Sequence, residues 1–140
     1  MARVLVVEDR ATVALVLEVA LTDEGHNVDL AYNGRTALEK LSLEPRPDIV
    51  FVDLHMPDIS GREVVTTMRA DSLLHDIPVV IVSGSIPKPE NMPPDGSYKA
   101  FISKPFDLCE VLDTVERLTS DHPVENLITN HSAECLTPNH

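Results

Sequence analysis

The stretch Val4-Leu5-Val6-Val7-Glu8-Asp9 joins four consecutive apolar residues to two acidic ones. An unbroken aliphatic run of this length is typical of a strand that is buried on both faces of a sheet. Two later segments, residues 48–52 and 78–82, have the same apolar character. The first run therefore predicts a central strand of a parallel sheet, with two carboxylates at its carboxyl end.

Helical patterns separate these strands along the chain. Weaker strand patterns lie at residues 27–31 and 98–102, and helix-like stretches lie at 11–24, 35–43, 62–71 and 108–118. This alternation predicts βαβ units, hence an α/β fold with a doubly wound, five-stranded parallel sheet and helices on both faces. Four prolines between residues 87 and 94 interrupt the segment before the last strand. We therefore expect the fourth helix to be shortened or irregular.

Composition narrows the class of protein. The chain has 140 residues, 43% of them hydrophobic, which suits one globular domain. With 11 basic and 23 acidic residues the net charge is −12, so we expect no nucleic acid as a partner. No apolar stretch approaches the roughly 20 residues of a membrane span, and we expect a cytoplasmic protein. We assign residues 1–119 to the domain and the polar, aperiodic residues 120–140 to a C-terminal tail that is partly disordered.

Chemically active groups follow four of the predicted strands at their carboxyl ends: Glu8, Asp9, Asp53, Ser83, Gly84 and Lys104. In an open parallel sheet these ends meet at one edge, where binding sites gather. Three carboxylates together repel one another, which favours a bound cation, and hard oxygen ligands suit Mg²⁺, with Mn²⁺ also possible. The serine hydroxyl, the unhindered glycine N–H and the lysine ammonium complete a pocket suited to phosphoryl transfer.

With these motifs the sequence resembles the receiver domain of two-component response regulators over about residues 2–119. The matching motifs are Val-Leu-Val-Val-Glu-Asp at 4–9, Asp-Leu-His-Met-Pro at 53–57 with Gly61 beyond it, Val-Ser-Gly at 82–84 and Lys-Pro-Phe at 104–106. The resemblance implies the flavodoxin-like strand order 2-1-3-4-5. It also implies a stand-alone signalling switch without an output domain in this chain, which acts through a downstream partner that the sequence does not identify.

The resemblance assigns a role to each residue of the pocket. Asp53 would accept a phosphoryl group from a sensor histidine kinase or a histidine phosphotransfer protein. Lys104 would pair with the phosphoryl oxygens, and the Ser83 hydroxyl would turn toward them after transfer. On this view the chain is not an enzyme, since it catalyses only its own phosphorylation and dephosphorylation.

The resemblance also implies a ligand set for Mg²⁺. Asp9 and Asp53 would bind the ion directly, and Glu8 would bind through a water molecule. The backbone carbonyl of His55 would complete the protein ligands.

Three further residues have both a functional and a purely structural interpretation. Phe101 occupies the position of an aromatic switch that works with Ser83, and its position relative to Lys104 favours this role over the alternative of ordinary core packing. His55 and Ser85 lie two residues past Asp53 and Ser83, where the family tunes the lifetime of the phosphoryl group. The alternative is that His55 and Ser85 are simply polar residues of exposed loops.

Residues 11–21 carry only one charge, that of Glu18. At 100° per residue one apolar stripe of this helix faces the sheet, whereas Leu15 and Val19 point nearly the opposite way with Val16 on the flank. Exposed apolar surface of this kind often marks a contact site. In the family the kinase or phosphotransfer domain docks on this helix. A homodimer, or merely scattered exposed apolar residues, are the alternatives, and we expect a monomer or a weak homodimer.

Other functions fit less well. An aspartate-nucleophile phosphatase would have Asp-x-Asp after its first strand, whereas here the acceptor-like Asp53 follows the third. A nucleotide- or flavin-binding protein is disfavoured because neither G-x-G-x-x-G nor G-x-x-x-x-G-K-[ST] occurs. A receiver-like docking module that has lost phosphorylation is the remaining alternative.

Overall fold

The computed structural model describes residues 2–84, 88–90 and 92–119. Ser85 and the tail at 120–140 lie outside the described residues, so the predictions made for them stay predictions. The elements are β1 (Arg3–Val7), α1 (Ala11–Asp23), β2 (Asn27–Ala31), α2 (Gly34–Leu41), β3 (Ile49–Asp53), α3 (Gly61–Ala70), β4 (Val79–Ser83), β5 (Ala100–Ser103) and α4 (Leu108–Thr119).

The five strands form one parallel sheet in the order β2-β1-β3-β4-β5, which confirms the predicted fold class and strand order. Val7 at the end of β1 pairs with Val52 of β3, and Asp53 pairs with Val82 of β4. The central strands thus end nearly level with one another. The residues that follow them are brought to one edge of the sheet, here called the carboxyl edge.

Two apolar layers enclose the sheet because the side chains of a strand alternate between its faces. Leu5 and Val7 of β1 belong to the layer covered by α2 and α3. Val4 and Val6 belong to the layer covered by α1 and α4. The continuous apolar run of the first strand is therefore explained by burial on both faces.

The connection between β4 and β5 differs from the others. Its described part, residues 88–90 and 92–99, contains turns and no helix, in agreement with the expected loss of a regular fourth helix. The Arg69 guanidinium of α3 donates to the carbonyl oxygens of Ser97 (2.7 Å), His75 (2.7 Å) and Ile77 (3.0 Å). One side chain therefore ties this loop and the segment after α3 together. The last strand begins two residues later than the sequence pattern indicates, at Ala100.

Within the part of the chain that the structure describes, no helix has the length and apolar character needed to cross a membrane.

Candidate functional site

Three carboxylates meet at the carboxyl edge. Glu8 and Asp9 follow β1, Asp53 ends β3, and one oxygen from each lies within 4.8 Å of those of the other two. Glu8 and Asp53 are buried, at 2% and 6% exposure, whereas Asp9 is open to solvent. This cluster is the one predicted from the strand ends, and it forms because β1 and β3 are neighbours in the sheet.

Lys104, just after β5, brings its ammonium into the cluster. Its Nζ lies 2.8 Å from Oε1 of Glu8 and 3.4 Å from Oδ2 of Asp53. The side chain is only 18% exposed, so these interactions are partly shielded from solvent. A single ammonium faces three carboxylates, which leaves an excess of negative charge.

Burial and the neighbouring negative charge both act on the pKa of Glu8. Burial raises the pKa of this carboxyl, and the charge of Asp53 raises it further. Hydrogen bonds from the Lys104 ammonium and from the Arg10 backbone N–H (3.1 Å) oppose this rise in pKa. Added positive charge would stabilise the ionised cluster, and an all-oxygen donor set fits a hard divalent ion. The residues present therefore fit Mg²⁺.

Asp53 is held by a tightly packed turn between β3 and α3. The His55 N–H donates to Oδ1 of Asp53 at 3.3 Å, and the Gly61 N–H donates to the carbonyl of Leu54 at 3.1 Å. A Cβ at Gly61 would lie 2.2 Å from the carbonyl oxygen of Asp53, so no larger residue fits without movement of the backbone. This explains the glycine that follows the Asp-Leu-His-Met-Pro motif.

A capping box fixes the start of α3 beside this turn. The Glu63 N–H donates to Oγ of Ser60 at 3.2 Å, and the Ser60 N–H donates to Oε1 of Glu63 at 3.0 Å. This pair was not among the predicted features, although Ser-x-x-Glu before an apolar run is a recognisable helix-start signal.

The ends of β4 and β5 complete the site. Ser83 is buried at 1% exposure, and its carbonyl accepts from the Lys104 N–H at 2.8 Å. Gly84 is exposed, and a Cβ there would make only ordinary contact with Lys104 at 3.7 Å.

A cleft of about 730 Å³ opens over these groups. Asp9, Asp53, Gly84 and Lys104 of the predicted pocket line it together with His55. The buried Glu8 and Ser83 are not among its lining residues. Arg10 also lines it and was not among the residues predicted for the site.

The remaining candidates lie around this centre. Phe101 is partly buried on β5 and packs against the apolar layer of α2 and α3, three residues before Lys104. The His55 side chain is exposed beside the cleft. Both positions are compatible with the roles that the resemblance implies, and these roles stay predictions.

One face of α1 is apolar and open to solvent. Leu15, Val16 and Val19 are 55%, 47% and 58% exposed, whereas Leu17 and Leu21 on the other side are buried against the sheet. The division of the helix into two apolar sides is therefore confirmed. The three exposed residues are called the α1 surface below.

A family model described as the response regulator receiver domain matches residues 4–116. The chain belongs to this family. This receiver domain is 31% identical over 128 residues to the response regulator ArlR of Staphylococcus saprophyticus and to that of Staphylococcus aureus. The match covers 91% of the chain but only 57% of the length of either ArlR, so the chain spans little more than half of these relatives.

Solved structures agree with the family assignment. The chemotaxis protein CheY4 of Vibrio cholerae is similar with a TM-score of 0.74 and 28% identity, over 84% of this chain and 98% of that one. The response regulator TrrA of Thermotoga maritima, solved in complex with Mg²⁺ and BeF, has a TM-score of 0.73 and 30% identity over 84% and 99% of the two chains. The fold and the receiver family are thus established together.

Proposed function

We propose that this receiver domain, spanning residues 1–119, is a phosphorylation-dependent signalling switch whose phosphoacceptor is Asp53. The observation that carries the proposal is the cluster itself: three carboxylates within 4.8 Å and the ammonium of Lys104, of which Asp9, Asp53 and Lys104 line an open cleft. Structural ion pairs do not need such an excess of one charge. Phosphoryl transfer does, since it uses a carboxylate nucleophile together with cations that neutralise the transferred group.

The proposed donor is a phosphohistidine of a sensor histidine kinase or a histidine phosphotransfer protein. An oxygen of Asp53 attacks the phosphorus, and the P–N bond breaks with its electron pair remaining on the donor imidazole. The product is an acyl phosphate on Asp53. Lys104, already 3.4 Å from Oδ2 of Asp53, is placed to pair with the phosphoryl oxygens.

Mg²⁺ is the proposed cofactor, and Mn²⁺ would use the same oxygen donors. Asp9 and Asp53 would hold the ion directly, Glu8 through water, and the His55 backbone carbonyl would supply a further ligand. The ion would neutralise charge on the phosphoryl oxygens. The complex of TrrA with Mg²⁺ and BeF supports this assignment.

Phosphorylation would be read out through Ser83 and Phe101. The Ser83 hydroxyl would turn to the phosphoryl group, and Phe101, which is only partly buried, would change its packing. His55 at the cleft and Ser85 would set how readily water reaches the acyl phosphate. The lifetime of the signal would therefore depend on these two side chains.

The α1 surface is the proposed docking site for the kinase or phosphotransfer domain, because α1 begins beside the cleft and presents Leu15, Val16 and Val19 to solvent. The domain would act as a monomer or weak homodimer. Membership of the response regulator family supports a cytoplasmic location.

Incubation with Mg²⁺ and acetyl phosphate tests the proposal. We expect the mass of one phosphoryl group to be added, and to map to the peptide that contains Asp53. Asp53→Asn should remain folded, because the change is nearly isosteric, and should accept nothing. Undiminished labelling of the Asn variant would reject the assignment, and repeated turnover of a foreign phosphoester would indicate a phosphatase instead.

A further inference from the structure

Arg10 stands at the mouth of the acceptor cleft. It follows Asp9 directly and lines the same cleft as Asp53 and Lys104. Among the described residues that line this cleft, Arg10 and Lys104 are the lysine and arginine side chains. The two cations differ in what they already bind.

The Lys104 ammonium is engaged by Glu8 and Asp53 at 2.8 and 3.4 Å. The Arg10 guanidinium makes no hydrogen bond or ion pair within residues 2–84, 88–90 and 92–119, although its backbone N–H donates to Oε2 of Glu8 at 3.1 Å. Its side chain is exposed. Arg10 is therefore the cleft cation whose donors are available to an incoming anion.

Helix formation does not explain an arginine at this position. Arg10 is the N-cap of α1, with extended backbone angles of φ −89° and ψ 112°, and its side chain makes no capping bond. Residues favoured at an N-cap carry an oxygen that accepts from the first helical N–H groups, and arginine has no acceptor. A cation is also unfavourable near the positive end of a helix. The local structure would be more stable with serine or asparagine here.

Charge balance in the pocket shows what the arginine can supply. With a divalent ion bound, the ion and Lys104 together balance Glu8, Asp9 and Asp53. A doubly negative phosphoryl donor would then meet a pocket without net positive charge, in a chain whose net charge is −12. A guanidinium at the entrance offers paired N–H donors that match phosphoryl oxygens.

We propose that Arg10 binds the phosphoryl oxygens of the incoming donor and is a specificity-determining residue for dianionic phosphodonors. This inference rests on the proposed function of Asp53. With acetyl phosphate, an Asp53 carboxylate oxygen forms the new O–P bond while the bond between phosphorus and the acetyl oxygen breaks. Acetate leaves with the electron pair, and no proton is gained or lost. Arg10 holds the phosphoryl group as it enters and is not itself changed.

The test measures phosphorylation rate against donor concentration in the presence of Mg²⁺. Two donors represent the two natural sources, acetyl phosphate for small acyl phosphates and N-phosphoimidazole for phosphohistidine. We expect Arg10→Ala to raise the half-saturating concentration of both donors roughly tenfold, about 1.4 kcal/mol, with a much smaller effect on the maximal rate. Arg10→Lys should recover part of the loss, since it restores the charge without the paired donors.

Arg3→Ala is the matched control, because Arg3 is an exposed arginine at the start of β1, at the opposite edge of the sheet. It removes the same charge and should leave the half-saturating concentration unchanged. Arg10→Ser should show the same weakening as Arg10→Ala while its melting temperature rises, because serine caps α1. The affinity of the Mg²⁺ form for beryllofluoride should fall in both variants, which tests recognition without turnover.

Equal half-saturating concentrations for wild type and Arg10→Ala would overturn the inference. An effect confined to one donor would also overturn it, because Arg10 would then recognise the leaving group of that donor and not the phosphoryl group. A similar loss in Arg3→Ala would also overturn it, because the cause would then be overall charge. A wild-type chain that accepts no phosphoryl group at all would instead refute the proposed function of Asp53.

Discussion

Polar groups are paired differently at the carboxyl edge and at the opposite edge of the sheet, where the strands begin, here called the amino edge. At the carboxyl edge three carboxylates share one ammonium, and burial raises the pKa of Glu8. At the amino edge two backbone N–H groups each have one side-chain acceptor. The Ala2 N–H donates to Nδ1 of the buried His26 at 3.1 Å, and the Arg3 N–H donates to Oδ2 of Asp48 at 2.8 Å. Matched pairs serve the fold alone, whereas an unbalanced cluster is kept at a cost in stability and points to function.

Gly61 offers the strongest way to disturb the carboxyl edge. A Cβ at this position would meet the Asp53 carbonyl at 2.2 Å and the Leu54 Cα at 2.8 Å, both main-chain atoms that cannot rotate away. We expect Gly61→Ala to lower the free energy of unfolding by about 3 kcal/mol, as overpacking against backbone does. Urea denaturation measures this directly.

Gly84→Ala is the control for Gly61→Ala, since its added methyl group would make only ordinary contact with Lys104 at 3.7 Å. Its free energy of unfolding should stay within about 0.5 kcal/mol of wild type. Equal losses in the two alanine variants would show that the close approach at Gly61 does not limit stability.

Substitutions of single carboxylates in the cluster should differ in how much they weaken Mg²⁺ binding. We expect Asp9→Ala to weaken Mg²⁺ binding roughly a hundredfold, and Glu8→Ala roughly tenfold, because only Asp9 is proposed as a direct ligand and ligands bound through water contribute less. Titration of Mg²⁺ into each variant, followed by calorimetry, measures both affinities. Equal affinities would count against the direct role of Asp9.

Much of this edge was predictable because strand ends in a parallel sheet fall together. Asp9 and Asp53 follow strands that the apolar runs identify, and Lys104 follows a weaker strand pattern. Their meeting in one cleft then needs only the strand order, which the family resemblance supplied. The reach of the Lys104 ammonium to Glu8 was not predictable, because it depends on side-chain direction across 96 positions of sequence.

Local sequence patterns could not show which side chains link segments that are distant along the chain. Arg69 donates once to the β4–β5 loop, at Ser97, and twice to the segment between α3 and β4, and these carbonyls are near it only in the folded chain. Arg10 differs from Arg69, because its place follows from its position directly after Asp9 at the end of β1. Its function was not evident from the sequence, since an arginine after two acidic residues usually indicates nothing more than a solvated turn.

Substitutions in the α1 surface test whether the kinase docks on α1 when it reaches the carboxyl edge. Leu15→Glu combined with Val19→Lys keeps the net charge and changes two side chains that are more than half exposed, so folding should be unaffected. We expect phosphotransfer from the cognate kinase to slow about tenfold, as for loss of an apolar contact in an interface. Phosphorylation by acetyl phosphate should continue at the wild-type rate, because that donor needs only the cleft.

A matched control for the α1 surface is Leu43→Glu combined with Leu73→Lys, which changes two leucines that are each 64% exposed and lie outside α1. Kinase transfer to this variant should be normal. If the α1 variant accepts phosphoryl groups from its kinase as fast as wild type, and its oligomeric state is also unchanged, the α1 surface is neither a docking site nor a dimer interface.

The amino edge should show the smallest effect, as a dependence of stability on pH. Burial lowers the pKa of His26 below its ordinary value of 6.5, against the raising influence of Glu116 and Glu24. Its Nδ1 must also be unprotonated to accept from the Ala2 N–H. As pH falls below 6.5, the unfolded chain therefore takes up a proton that the folded chain resists, and stability decreases by at most about 1.4 kcal/mol per pH unit. His26→Asn, which keeps an acceptor but does not titrate, should remove this part of the pH dependence. Urea denaturation of both proteins between pH 7.5 and 5.5 measures the difference, and parallel curves would show that His26 does not contribute to it.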